Sequence, residues 1–215
     1  MALDKLGVIN KALVEYLGER PISSLSEAVK AQRIMNSIWS NDLVDYSLSA
    51  GVWDFASRIV KLDNNPSIEL QMSWNYAFNI PDDFISLIAI AVDEDFRGKF
   101  TQYDIDGSLI TSDNSYIYLK YISNDASYGN DLSLWTPAFA DYVACLLAYR
   151  SSKAFLLSSA DKDRLFQDLN RLSLPFAKEK DAQNRPVRNL TRGSWFSSRY
   201  SAGRDNSSRD EDRHA

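Results

Sequence analysis

The sequence predicts an α+β fold: a bundle of about four helices, an inserted antiparallel β-sheet or hairpin region, and an extended C-terminal arm. Three observations predict it. Apolar residues recur at spacings of three and four over residues 2–56 and again over 135–184, the period of a helix with one buried side. Between these stretches, over 57–134, the period falls to two and β-formers concentrate. After Asn184 the chain turns to Arg, Ser, Asn and Asp, with only Val187, Leu190, Trp195, Phe196 and Tyr200 as anchors, a composition that builds no core of its own. The expected organisation is therefore N-terminal helices (1–56), a β-rich insertion (57–134), C-terminal helices (135–184) and the arm (185–215).

Each element has a local cause. Leu6, Ile9, Leu13 and Leu17 mark a helix over 2–17, with Gly18 where a left-handed cap belongs. After Glu19-Arg20-Pro21, Ser24 and Glu27 have capping-box spacing and open a second helix reaching about Leu48, with Ala31, Ile34, Met35, Ile38, Trp39 and Tyr46 as its apolar stripe. Candidate strands follow at Arg58–Leu62, Trp74–Asn79, Ile85–Val92, Thr101–Ile105, Leu109–Thr111 and Ile117–Ile122. Asp106-Gly107 suits a type I′ hairpin turn, because both residues tolerate positive φ. In the last strand, Ile117, Leu119 and Tyr121 share one face while Tyr116, Tyr118 and Lys120 share the other. Helical spacing resumes at Trp135, with Pro137 in the first turn and Phe139, Val143, Leu146, Leu147 and Phe155 as the stripe. A last helix covers about Asp161 to Gln183, with Leu165, Leu169 and Leu172 inward and Pro175 kinking or ending it.

Composition narrows the function classes. The 215 residues carry a net charge of −5 and are 45% hydrophobic, which fits one large globular domain or two small ones. The longest apolar window, Phe84 to Val92, is strand-sized, so no membrane span is expected, and the N-terminus lacks the pattern of a secretory signal. The only histidine is His214 and the only cysteine is Cys145. Triad hydrolases need a positioned base and zinc sites usually need several His or Cys, so both classes are excluded. No glycine-rich nucleotide motif occurs, and no cofactor is expected. Residues 1–184 hold 17 Lys and Arg against 25 Asp and Glu, a net −8, whereas residues 185–215 hold seven arginines against four acids, a net +3. An acidic body argues against a nucleic-acid-binding surface and suits one past which nucleic acid slides without sticking.

Three carboxylate groups, Asp82/Asp83, Asp93/Glu94/Asp95 and Asp104/Asp106, have the residue types for acid–base work or a hard cation. All sit beside turn signals, where aspartate satisfies local backbone donors, and the turn reading is preferred. Lys153 reads as a solvated helix-face lysine rather than a nucleophile, and Cys145 as a small core residue. The arm differs from all of these. Arg185, Arg188, Arg192 and Arg199 with Trp195, Phe196 and Tyr200 are the residue types enriched at the energetic centre of protein interfaces. The preferred reading is an arm that orders on a protein partner; a terminus without a role and a nucleic-acid contact are the alternatives.

Several pieces in fixed order resemble the head-to-tail adaptors of tailed bacteriophages, the family that includes tail tubular protein A of short-tailed phages. They are Leu17-Gly18-Glu19-Arg20-Pro21-Ile22-Ser23-Ser24-Leu25, Trp53-Asp54-Phe55-Ala56, Trp74 through Phe84, Tyr103 through Ile110, Leu119-Lys120-Tyr121-Ile122 and Trp135-Thr136-Pro137-Ala138-Phe139, together spanning about residues 8–150. The resemblance implies a structural virion protein at the neck between head and tail. It implies a ring, twelve-fold in the family, docked under the portal protein on one face and receiving the tail nozzle or tube on the other. The genome would pass through the lumen without specific binding. No motif of the family is catalytic, so the resemblance carries over no active-site residues. The family's C-terminal arms extend along the portal, which makes Arg185, Arg188, Arg192, Trp195, Phe196, Arg199 and Tyr200 the candidate portal-binding residues by their chemistry. A non-viral interaction module, a carboxylate-dependent hydrolase and a tail-completion protein are the rival readings.

Overall fold

The structure, a computed structural model, describes residues 4–68, 74–98 and 100–184. Helix α1 (Lys5–Lys11) starts where the Asp4 carboxylate accepts a hydrogen bond of 2.7 Å from the Gly7 amide, and it runs into a π turn, Ala12–Tyr16. Gly18, at φ +65°, turns the chain out of it. Helix α2 (Lys30–Ile38) continues through a second π turn, Trp39–Leu43, into α3 (Val44–Ser49). Six strands follow: β1 (Ser57–Asp63), β2 (Tyr76–Asn79), β3 (Phe84–Ala91), β4 (Tyr103–Asp106), β5 (Leu109–Ser112) and β6 (Tyr116–Ser123). The Thr136 hydroxyl caps α4 (Pro137–Ser151), accepting from the Phe139 amide at 3.2 Å, with Pro137 placed where no backbone donor is needed. Ser158 caps α5 (Ser159–Asp168), which passes through a third π turn, Leu169–Ser173, into α6 (Leu174–Gln183).

The expected bundle of four helices does not form, and the strands do not make a single inserted sheet. They make two antiparallel three-stranded sheets, ordered β1-β6-β3 and β2-β5-β4. A bundle needs helices that each turn one stripe to a shared centre. Here α4 is itself the centre: 11 of its 15 residues are buried, and α1, α2, α5 and α6 pack against it. A helix apolar all round has no solvent face to offer a bundle. The two sheets meet over a second core of Phe78, Ile90, Ile110, Ile117, Leu119 and Tyr121. Alternate β6 residues therefore face the other sheet, while Ile122, with Ile85 and Ile88 of β3, packs on the helical core.

Four local expectations are corrected as well. The second helix starts at Lys30, because the Glu27 carboxylate accepts from the Ser23 amide at 2.7 Å and closes a turn there instead of capping a helix. The β4–β5 loop is Gly107-Ser108 with positive φ at Gly107 alone, the pattern of a type II′ turn rather than I′. Phe155 falls beyond the end of α4. Leu172 points outward, 63% exposed, because the π turn that absorbs the missing donor of Pro175 shifts the helix phase by a residue.

The junction between helices and sheets is tight at Gly129. Its amide donates to the Ser123 carbonyl at 3.1 Å and its carbonyl accepts from the Trp135 indole at 2.9 Å. A β-carbon there would collide with the Ser123 carbonyl oxygen and the Leu48 side chain. Gly129→Ala should therefore lower unfolding free energy by about 2 kcal/mol or more. Urea denaturation reads the change, and a loss below about 0.5 kcal/mol would mean that the junction has room to spare.

Candidate functional site

The charge of the body is concentrated in the β-rich region. By sequence, residues 57–134 hold five Lys and Arg against 12 Asp and Glu, a net −7, which leaves the helical segments 1–56 and 135–184 at −1. Glu94, Asp95, Asp104, Asp106 and Asp113 of this region are exposed. The sheets thus form an acidic pole on a nearly neutral helical base.

Among the carboxylates, Asp83 has the fullest surroundings. It sits in the turn Pro81–Phe84, closed by a 3.1 Å bond from the Phe84 amide to the Pro81 carbonyl. Its carboxylate receives Arg58 Nη1 at 2.8 Å, the Tyr121 hydroxyl at 2.9 Å and a short bond from the Ser123 hydroxyl. The Arg58 guanidinium lies over the Tyr128 ring, 5.3 Å from its centroid. Burial pushes the Asp83 carboxyl up, but the bonds from Ser123, Arg58 and Tyr121 outweigh it and hold the group below the ordinary aspartate range. Burial and the Asp83 partner push the Tyr121 phenol well above its usual value. A carboxylate so fully engaged is a strut joining β1, β3 and β6. Its partners lie 25 to 40 positions away in sequence, so no local pattern announced them.

Among the other candidates Asp93 fills the expected turn role, while Asp104 lies within β4. Asp93 accepts from the Arg97 amide at 3.1 Å, Asp95 pairs with Arg97, and Asp104 accepts from the neighbouring Ile105 amide at 2.8 Å. Asp82 is exposed beside Asp83 and shares none of its bonds. Among the described residues, no group of three or more His, Cys, Asp or Glu is placed to hold a metal ion, and no helix is long and apolar enough to cross a membrane. Lys153 is exposed. Cys145 is fully buried in α4, and burial pushes its thiol up to about 11, which keeps it protonated and inert. The arm residues Arg185, Arg188, Arg192, Trp195, Phe196, Arg199 and Tyr200 lie outside the described residues.

Two of the pieces that carry the resemblance, Trp53–Ala56 and Trp135–Phe139, converge. Phe139 stands 4.7 Å from Trp53, 4.9 Å from Phe55 and 4.9 Å from Trp135 between ring centroids, and Trp135 stacks on Trp39 at 6.1 Å. The Trp53 indole donates to the Leu48 carbonyl at 3.0 Å. Segments some 80 positions apart thus form one aromatic cluster where the helices meet the sheets. A second anchor is Asp181, buried in the last turn of α6, which accepts from the Asp54 amide at 2.9 Å. The helix that leads into the arm is thereby tied to the Trp53–Ala56 turn. Leu172 and Phe176, 63% and 49% exposed, form with Pro175 an apolar strip beside Asp141 and Glu179 on the outer side of this helix. Sequence reasoning missed this strip because it placed Leu172 in the core.

No protein-family model matches the chain, and no curated protein matches it.

Proposed function

We propose that the protein is a structural component of a bacteriophage neck, a head-to-tail adaptor whose copies form a ring between the portal protein and the tail nozzle or tube. The observation that carries the reading is the aromatic cluster. Two of the separate pieces that resemble the adaptor family, around Trp53 and around Trp135 and Phe139, meet in one buried cluster of the helical core on either side of the β-rich segment in sequence. The engagement of Asp83 and the local backbone bonds of Asp93 and Asp104 support a scaffold rather than carboxylate chemistry. The acidic pole supports a surface that repels phosphates as the genome passes.

In this reading the arm, residues 185–215, folds onto the portal and offsets its ordering entropy by burying Trp195 and Phe196 among Arg contacts. Ring formation multiplies a weak contact, since each bound copy raises the effective concentration of the next. The test is electron microscopy of the protein mixed with purified portal, with and without residues 185–215. The full chain should dock as a ring and the truncated chain should lose docking by about tenfold or more. Undiminished docking of the truncated chain would remove the arm's role, and no docking of the full chain would leave the rival reading of a non-viral interaction module.

A further inference from the structure

The outer face of the β1-β6-β3 sheet is not uniformly acidic. Pairing of β1 with β6 sets Ile59 opposite Lys120 and Lys61 opposite Tyr118 on one face. Lys61 Nζ lies 4.8 Å from the centre of the Tyr116 ring, and that ring meets Tyr118 edge-on at 6.1 Å. Ile59 is 49% exposed. The Lys120 side chain makes no hydrogen bond or ion pair with any described residue, and Lys61 pairs with Asp63 at 3.1 Å. That pair is exposed on both sides and worth little, so Lys61 is free to exchange partners. An aliphatic, aromatic and cationic patch therefore stands within a region of net charge −7.

The same chain offers its complement. The β4–β5 hairpin exposes Asp104, Ile105 and Asp106, with Ile105 42% exposed. Asp104 and Asp106 share one face of β4, with Ile105 on the other, so the hairpin presents a pair of carboxylates to match the two ammonium groups of Lys61 and Lys120.

We propose that the β4–β5 hairpin of one copy docks on the Ile59/Lys61/Tyr116/Lys120 face of a second copy, in a head-to-tail contact. The two surfaces are different patches of one chain, so the contact is heterologous: it propagates from copy to copy and closes as a ring when the rotation per copy allows. The inference rests on the ring-forming reading above and names the surfaces that join its neighbours. A nucleic-acid strand is the other ligand a lysine–tyrosine sheet face would attract. Two lysines within a net −7 lobe oppose the approach of a polyanion, whereas a short hairpin brings two carboxylates without a long negative chain behind them.

The test uses the full chain and two charge-reversed variants, Lys61→Glu/Lys120→Glu and Asp104→Lys/Asp106→Lys, each checked for an unchanged thermal midpoint. In sedimentation velocity, wild type should associate as concentration rises. Each variant alone presents like charges on both surfaces and should associate about tenfold or more weakly. An equimolar mixture of the two should regain association, because every junction in it then pairs opposite charges. Unweakened association of either variant, or a mixture that stays monomeric, overturns the contact. So does a wild type that stays monomeric throughout, an outcome that leaves portal docking through residues 185–215 standing. Retention of wild type on single-stranded DNA, abolished by Lys61→Glu/Lys120→Glu, would overturn the choice of occupant.

Discussion

Phe139→Ala is expected to be the most damaging single truncation in the described body, costing about 4 kcal/mol. Phe139 is fully buried in the first turn of α4 and contacts three other rings, Trp53, Phe55 and Trp135, all within 5 Å between centroids. Truncation removes both the transfer free energy of the ring and the edge-to-face contacts, and it leaves a cavity walled by rigid indoles that collapse poorly. For a domain of this size the loss corresponds to a fall of about 10 °C in thermal midpoint. Phe139→Leu, which keeps most of the volume, should lose less than half as much. Circular dichroism during urea and thermal unfolding measures both. A loss below about 1 kcal/mol for the alanine variant would show that the cluster does not hold the helices to the sheets.

Removing the Asp83 carboxylate should come second. Asp83→Ala leaves the Arg58 guanidinium and the Tyr121 and Ser123 hydroxyls without their common acceptor. Loss of one partner of an enclosed pair costs up to about 3–5 kcal/mol. Arg58 keeps a third of its surface in water, so about 2–3 kcal/mol is the expected loss at neutral pH. The pH dependence has a definite sign. The folded carboxyl lies below the unfolded aspartate value of about 3.9, so its contribution is fully present above that value. It disappears as pH falls through the folded value. Wild type should therefore lose stability between pH 5 and the acid limit more steeply than Asp83→Asn. Parallel curves for the two proteins over that range would show that Asp83 carries no net stabilising charge.

Much of the strand framework was readable because period-two alternation is a short-range property. Ile117, Leu119 and Tyr121 alternate with Tyr118 and Lys120, and the structure buries the first set between the sheets. Pro137 was equally legible, since a proline in the first helical turn is a local signal, whereas the Thr136 cap emerged only in the structure. The helical architecture was not. The pattern of Phe139, Val143, Leu146 and Leu147 reads as one stripe, but Ala138, Ala140, Ala144 and Ala148 fill the remaining sides, and alanine gives no signal of burial in a sequence. A central helix and a bundle helix are distinguished by just those small residues. The Leu172 error has a different origin: a π turn changes the angular step, so a stripe counted at 3.6 residues per turn drifts off the core. At the site, the turn role of Asp93 was legible, whereas the Arg58, Tyr121 and Ser123 partners of Asp83 belong to tertiary pairing.

The position of α4 has a consequence for biosynthesis. Helices α1 to α3 are complete at Ser49, but the helix that clothes them starts at Pro137, 88 positions later. At about 5–20 residues per second, the N-terminal segment waits roughly 5–20 s on the ribosome with Val8, Ile9, Leu13 and Met35 uncovered. The sheets, whose pairings all lie within residues 57–123, are finished earlier and can fold during that interval. The N-terminal helices thus lack their central packing partner until α4 emerges, and shortening the β-rich segment would bring the two halves of the helical core closer in time.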